Sequence, residues 1–195
     1  MIGTVLLGFV LLFALSAVFF DAKGSDCGSR ISAILAGLAA VGASAVLFAV
    51  ILSNDFSYSY VASYSSIDLP LIYKISAFWA GQQGSFLLWL LIHALVGTYM
   101  VCTNRLTATG RIIYHLLTAM LVILVFIKSP FTPAEHIMPD GYGMNPLLQD
   151  PWMAVHPPII FVGYALLAVP FVYSLESMIK APMDGSFLAP MRRWT

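Results

Sequence analysis

The stretch NPLLQDPWMAVHPPIIFVGYALLAVPFVYSL, residues 145–175, runs from a proline-rich polar segment directly into a long apolar one. About 20 helical residues cross the hydrocarbon core of a bilayer, so residues 157–179 are long enough to span it. Proline is tolerated in the first turn of a helix because its missing N–H would have no partner there. The sequence therefore predicts a transmembrane helix that starts at Pro157 and Pro158, with His156 at its entrance. The positive end of such a helix favours the neutral imidazole, which is the form that ligates metal.

The composition is that of a polytopic membrane protein. The 195 residues are 60% hydrophobic and 9% charged, and the mean hydropathy is +0.90. These values predict an all-α fold with about five transmembrane helices in a single domain of residues 1–195. The first apolar segment lacks a basic leader, so it is interpreted as a retained span and not as a signal peptide. The predicted spans are residues 2–20, 31–52, 84–103, 111–128 and 157–179.

Charge and cysteine content exclude several function classes. Nine basic residues balance nine acidic ones without any basic run, which argues against a nucleic-acid partner. Cys27 and Cys102 are far apart and form no CxxC pair, so the sequence indicates neither a zinc site nor a thiol redox motif.

The distribution of lysine and arginine predicts the orientation in the membrane. Basic residues fall in loops 21–30 and 104–111 and in the tail from Lys180, whereas loop 53–70 has none and loop 128–156 has only Lys128. Under the positive-inside rule, the N-terminus and the two longer loops lie outside and the C-terminus lies inside. In a bacterium, this predicts the inner membrane with periplasmic loops.

The two predicted outer loops differ in character. Loop 53–70 carries tyrosines and a phenylalanine among serines, and it is interpreted as an interfacial aromatic belt. Loop 128–156 contains five prolines, which restrict the chain without forming regular secondary structure. It is therefore expected to be a stiff loop that can hold a ligand or a partner, and it contains His136.

A polar notch interrupts the third apolar region, FWAGQQGSFLLWL, residues 78–90. Small and polar side chains of this kind let another helix or a flat ligand approach the backbone closely. Residues 70–80 are expected to form a short surface or membrane-dipping segment before the true span. The notch consists of Gly81, Gln82, Gln83, Gly84 and Ser85.

Two further histidines, His93 and His115, fall within predicted spans. Ionisable groups in a membrane are costly and therefore suggest function. Together with Glu176 they would suit an ion- or proton-translocating subunit, although no acidic residue falls at mid-membrane. His115 lies nearer the inner face, so it is expected to be the more hydrated and structural of the two histidines.

Residues 79–89, WAGQQGSFLLW, and 145–164, NPLLQDPWMAVHPPIIFVGY, resemble segments of the cytochrome c-type biogenesis proteins of the CcmF/NrfE group, within the heme-handling superfamily. The resemblance implies a subunit of a heme lyase complex, or holocytochrome c synthase, that attaches heme to apocytochrome c on the outer side of the membrane. It implies a heme chaperone and apocytochrome c as partners. It also implies a b-type heme and a transient heme substrate as cofactors. The chain itself is expected to contribute no catalytic residue.

The resemblance also assigns candidate site residues. His156 matches the histidine of the family's HPP segment and is the candidate ligand of heme iron, with Trp152 and Tyr164 as walls. His93 is a second candidate, and His136 has no family assignment. The motif residues that carry the resemblance are Trp79, Gly81, Gln82, Gln83, Gly84, Ser85, Asn145, Pro146, Gln149, Asp150, Pro151, Pro157 and Pro158.

The sequence departs from the family pattern at several points. The tryptophan-rich segment of the family is absent, Gln83 stands where the family often has an acidic residue, and the only outer cations are Lys74 and Lys128. The end of the chain, residues 191–195, resembles the run-in to a further span. The chain is therefore expected to be the opening part of a split or truncated protein that shares its heme with a partner chain. A structural assembly subunit without heme stays open as an alternative.

Overall fold

A computed structural model describes residues 1–180 as an all-helical bundle, which confirms the predicted fold class. Five of its helices are long and apolar enough to cross a membrane. The helices are α1 (Ile2–Ala22), α2 (Asp26–Leu52), α3 (Ser59–Tyr64), α4 (Leu71–Ser76), α5 (Gln82–Cys102), α6 (Ala108–Ile127) and α7 (Pro151–Lys180), with short 3-10 turns at Ala77–Trp79 and Pro146–Leu148.

Side-chain caps fix where two of the long helices begin. Ser25 accepts a hydrogen bond from the N–H of Gly28 at 3.4 Å, and Thr107 accepts one from Gly110 at 3.5 Å. Such caps satisfy N–H groups that have no partner within the helix. The cap at Ser25 starts α2 at Asp26, so the helix extends five residues beyond the predicted span 31–52.

Small residues let the long helices approach each other closely. A Cβ on Gly97 of α5 would lie 2.5 Å from the ring of Tyr114 on α6, and one on Gly37 of α2 would lie 2.7 Å from Oγ1 of Thr98 on α5. Thr98 also donates a hydrogen bond to the carbonyl oxygen of Ala33 across the α2–α5 contact at 2.9 Å. Close packing and interhelical hydrogen bonds of this kind hold helices together in lipid, where the hydrophobic effect does not.

One end of the bundle holds a cluster of charged side chains. Arg111, which the sequence analysis placed in a loop, is buried in the first turns of α6 and pairs with Asp21 at 2.7 Å and with Asp26. Lys180 pairs with Glu176 at 2.6 Å at the same end. Residues 181–195, which include the rest of the predicted basic tail and the run-in at 191–195, lie outside the described residues.

The start of α7 differs from the prediction. The helix begins at Pro151, where the carboxylate of Asp150 accepts a hydrogen bond from the N–H of Trp152 at 2.8 Å. This is the arrangement of an N-cap followed by a proline at the first helical position. The prolines at 157–158 therefore lie inside the helix, and His156 is its sixth residue instead of standing at its entrance. His156 therefore lies beyond the first turn of α7, to which the influence of the positive helix end is confined.

Candidate functional site

The two sequence motifs meet through one hydrogen bond. Pro158 has no N–H, so the carbonyl oxygen of Ala154, four residues earlier, lacks its usual helical donor. The indole nitrogen of Trp79 donates to that oxygen at 2.9 Å, across 75 residues of sequence. The bond lets a proline pair lie inside α7 without leaving this buried carbonyl unpaired, and it fixes the start of α7 against the segment that precedes α5.

A small cavity lies between the two motifs. Its volume is about 60 Å³, which is room for about two waters at about 30 Å³ each. Pockets that hold small ligands or cofactors occupy about 300–1,000 Å³. A porphyrin therefore does not fit between the motifs within the described residues. The cavity is lined by Ser76, Trp79, Ala80, Met144, Leu148, Met153 and Pro157.

Tyrosines of loop 53–70 fill the glycine notch, which the sequence analysis expected to receive a helix or a flat ligand. The hydroxyl of Tyr60 accepts the N–H of Gly81 at 3.1 Å and lies 2.8 Å from the carbonyl oxygen of Ala77, to which it donates. A Cβ on Gly84 would lie 1.8 Å from the carbonyl oxygen of Phe78, and one on Gly81 would lie 2.5 Å from the ring of Tyr64. The notch is therefore a packing site for loop 53–70.

The same contacts correct the interpretation of loop 53–70 as only an interfacial belt. Tyr60 is 3% exposed and belongs to the core. Burial raises the pKa of the Tyr60 hydroxyl well above its usual value, so this hydroxyl stays protonated and keeps its hydrogen bonds. Sequence reasoning missed this role because alternating tyrosine and serine is equally typical of an exposed interface.

Most polar side chains of the two motifs form hydrogen bonds with nearby backbone groups. Asn145 accepts the N–H of Leu147 at 3.0 Å at the start of the 3-10 turn that contains Pro146. Gln149 donates to the carbonyl oxygen of Met144 at 2.9 Å. Ser85 donates to the carbonyl oxygen of Trp79 at 2.9 Å. Of the two notch glutamines, Gln82 is exposed and Gln83 is half-buried.

His156 and Trp152 lie together on the outward face of α7. They are separated by four residues, so they are neighbours on the helix surface. Both are exposed, Trp152 to 80%, whereas Ala154 between them is buried against Trp79. Two residues along a helix correspond to a rotation of about 200°, so this pair points away from the rest of the bundle.

Tyr164 does not join that pair. Its ring lies 5.7 Å from the ring of Trp89 on α5, and Phe161 lies 6.3 Å from the same indole. These aromatic contacts pack α7 against α5. Tyr164 is nevertheless 51% exposed, so one side of its ring stays open to a partner.

The other histidines lie in different surroundings. His136 is exposed and lines a cavity of about 400 Å³ between α3 and residues 132–142. The imidazole of His93 is 1% exposed and stacks on the ring of Tyr114 at 4.3 Å. His115 is 3% exposed, so it is buried like His93 and is not the more exposed histidine that the sequence suggested.

The structure does not connect the residues of the proton-relay hypothesis. Glu176 bonds to Thr107 and Lys180, whereas neither ring nitrogen of His93 has a partner. Within residues 1–180, no direct hydrogen bond between side chains links Glu176 to the two histidines. The same residues contain no group of three or more His, Cys, Asp or Glu side chains that could hold a metal ion.

Comparisons with known proteins identify relatives of this chain. A family model described as "Cytochrome C assembly protein" matches residues 79–187. The cytochrome c-type biogenesis protein CcmF of Escherichia coli strain K12 is 32% identical over 97% of this chain and 31% of its own length. The cytochrome c-type biogenesis protein NrfE of Haemophilus influenzae is 32% identical over 82% of this chain and 26% of its own length.

A solved structure has the same fold. The structure titled "Cytochrome c Heme Lyase CcmF" matches with a TM-score of 0.81 and 24% identity, covering 99% of this chain and 32% of that one. The chain spans about a third of the length of these relatives, or less. The family resemblance inferred from the two motifs is confirmed by these matches.

Proposed function

Because the chain belongs to the cytochrome c assembly protein family, we propose that it works in cytochrome c maturation as part of a membrane complex that attaches heme to apocytochrome c. In this proposal the chain provides one portion of a longer assembly. The remaining portion carries the tryptophan-rich segment, and a heme chaperone and apocytochrome c are transient partners. The assembly lies in the inner membrane, and the loops that contain α3 and His136 face the periplasm.

The observation that carries the proposal is the exposed pair of Trp152 and His156 on α7. Both side chains are exposed at the start of a helix that is long and apolar enough to span a membrane, so no side chain of the described residues covers them. The relatives are about three times as long as this chain, so a further portion of the assembly is available to cover this face. The pair is therefore placed at a surface where a second portion can complete a site.

In this proposal the described residues supply one side of a heme site. His156 would ligate the heme iron, and Trp152 would form one wall of the site. When bound, the heme would be the group that is attached to apocytochrome c. Propionate partners are scarce, since the ammonium group of Lys74 already bonds to Asn54 at 2.8 Å and to the carbonyl of Ile67 at 3.1 Å. The heme is therefore shared with a partner chain.

The other candidate ligands differ in how well they suit heme. His136 is accessible and lines a large open cavity, so it is the second candidate. His93 fits less well because its ring is packed against Tyr114, and a porphyrin would have to displace that contact.

Exchange of His156 tests the proposal. The chain is co-expressed with the remaining portion of the assembly in a bacterium that lacks its own maturation system. His156→Ala is expected to lower both the heme spectrum of the purified complex and the yield of holocytochrome c. His136→Ala tests the second candidate ligand in the same assay, and Met178→Ala, an exposed residue at the other end of α7, is the control. Unchanged heme content and holocytochrome yield in His156→Ala would remove this residue from the site.

The small volume of the cavity between the motifs favours a second candidate, a structural assembly subunit that holds no heme. This function predicts that His156→Ala leaves heme content unchanged, and that disruption of the α5–α7 contact lowers the amount of assembled complex. Blue-native electrophoresis measures the amount of assembled complex for His156→Ala and for a variant with a disrupted α5–α7 contact, and this amount distinguishes the two functions.

A further inference from the structure

His93 is a buried polar side chain without a polar partner. It is 1% exposed, and neither Nδ1 nor Nε2 has a hydrogen-bond partner in the described part of the chain. A neutral imidazole has one N–H donor and one acceptor nitrogen, and buried groups of this kind are nearly always satisfied by protein or by ordered water. The indole N–H of Trp89 is also buried without a partner.

Two hydroxyl groups of the neighbouring helix α6 are already in use. Tyr114, whose ring stacks on His93, donates its hydroxyl hydrogen to the backbone carbonyl of His93 at 2.9 Å. Thr118 donates to the carbonyl oxygen of Tyr114 at 3.0 Å. Neither hydroxyl proton is therefore available to the imidazole nitrogen of His93.

A line of polar groups leads from the small cavity between the motifs toward His93. Ser85, Trp89 and His93 follow each other at intervals of four residues, which places them along one side of α5. Ser85 bonds to the carbonyl of Trp79, and Trp79 lines the cavity of about 60 Å³. Eight residues of helix separate Ser85 from His93, a distance of about 12 Å. At about 2.8 Å between hydrogen-bonded oxygens, about four hydrogen bonds and therefore about three waters bridge it.

We propose that internal water enters from this cavity, passes Trp89 between α5 and α7, and hydrogen-bonds to the imidazole of His93. The water accepts the indole N–H of Trp89 and satisfies the two ring nitrogens of His93. The bundle thus contains a hydrated path that ends at His93. This proposal does not depend on heme ligation by His156.

X-ray footprinting of the complete assembly in native membranes tests the path. Pulses of X-rays generate hydroxyl radicals from water inside the protein, so side chains beside ordered water are oxidised even when they are buried. Met100 of α5 is 0% exposed, and a methionine side chain reacts faster with hydroxyl radicals than a histidine does. It therefore serves as the control for a buried side chain without nearby water. His93 is expected to be oxidised about tenfold faster than Met100, because ordered internal water is the local radical source. A rate for His93 no higher than that of Met100 would overturn the proposal.

A variant test traces the route that the water takes. Trp89→Phe keeps an aromatic ring against Phe161 and Tyr164 but removes the unpaired N–H, so oxidation of His93 is expected to fall by about half or more as water loses one of its few polar partners. Met138→Leu, in the outer loop, is the matched control and leaves that rate unchanged. An unaltered rate for His93 in Trp89→Phe would contradict the route past Trp89.

Discussion

The indole of Trp79 donates a hydrogen bond to the carbonyl oxygen of Ala154 at 2.9 Å, the oxygen whose helical donor is missing because of Pro158. A donor from one motif thus satisfies an acceptor that the other motif leaves free. This explains why a tryptophan before the glycine notch and a proline pair within α7 occur in one chain. Each motif supplies one of the two groups that form this hydrogen bond.

Trp79→Phe is expected to destabilise the bundle by about 1 kcal/mol, the net contribution of a typical hydrogen bond. The ring is kept, but a buried carbonyl loses its partner. Thermal unfolding of the purified chain, followed by tryptophan fluorescence or circular dichroism, measures the effect. Trp152→Phe is the matched control, since Trp152 is 80% exposed and its indole makes no such bond. Equal unfolding temperatures for the two variants would show that the hydrogen bond to Ala154 contributes nothing to stability.

Gly84→Ala is expected to destabilise the chain by about 1–3 kcal/mol, the usual cost of overpacking, and to lower the yield of folded protein. The new Cβ would lie 1.8 Å from the backbone oxygen of Phe78 and 2.3 Å from the hydroxyl of Tyr60. Gly8→Ala in α1 is the control, because nothing lies within 4 Å of its Cβ position. Size-exclusion chromatography in detergent gives both yields. Normal folding of Gly84→Ala would mean that the loop does not occupy the notch as described.

Exchange of Tyr60 gives a prediction for alkaline pH. Burial holds the pKa of the folded hydroxyl above the value of 10.0 for an unperturbed tyrosine. Its contribution to stability is therefore fully present below pH 10 and is lost as the pH rises above that value. The unfolding midpoint of the native chain should fall more steeply above pH 10 than that of Tyr60→Phe. Tyr142→Phe, which removes a tyrosine that is 81% exposed, should follow the native curve. Parallel curves for the native chain and Tyr60→Phe would refute the prediction.

The five long helices could be predicted from sequence because length and apolar content are local properties. The start of α7 could not be predicted in the same way. The prolines at 157–158 are a strong local signal for a helix start, and only the distant donor of Trp79 lets them lie inside a helix. The Asp150–Pro151 pair was the correct start signal, and it is visible in the sequence as an N-cap followed by proline.

The two motifs could be identified from the sequence, but their arrangement in space could not. The sequence identified the two motifs, and the structure brings them together. Exposure depends on tertiary contacts, so sequence could not show that His156 faces outward while Tyr164 packs on Trp89. The burial of Tyr60 and Arg111 was missed for the same reason, since neither residue lies in an apolar periodic pattern whose buried face can be counted.

The buried ion pair of Arg111 and Asp21 gives a prediction for the opposite end of the bundle. The Asp21 carboxylate is 0% exposed, and its bond to Nε of Arg111 measures 2.7 Å. Arg111→Gln leaves the buried Asp21 carboxylate without its ion-pair partner and should destabilise the chain by about 3–5 kcal/mol. Asp21→Asn should cost less, because Arg111 keeps its pair with Asp26. Residues in direct contact are not additive, so the double variant should lose less than the two single losses together. Arg30→Gln is the control, because Arg30 is exposed and, within residues 1–180, its side chain bonds to Asn104 alone. Urea or thermal unfolding of the four variants measures these losses, and additive losses in the double variant would show that the pair acts as two independent charges.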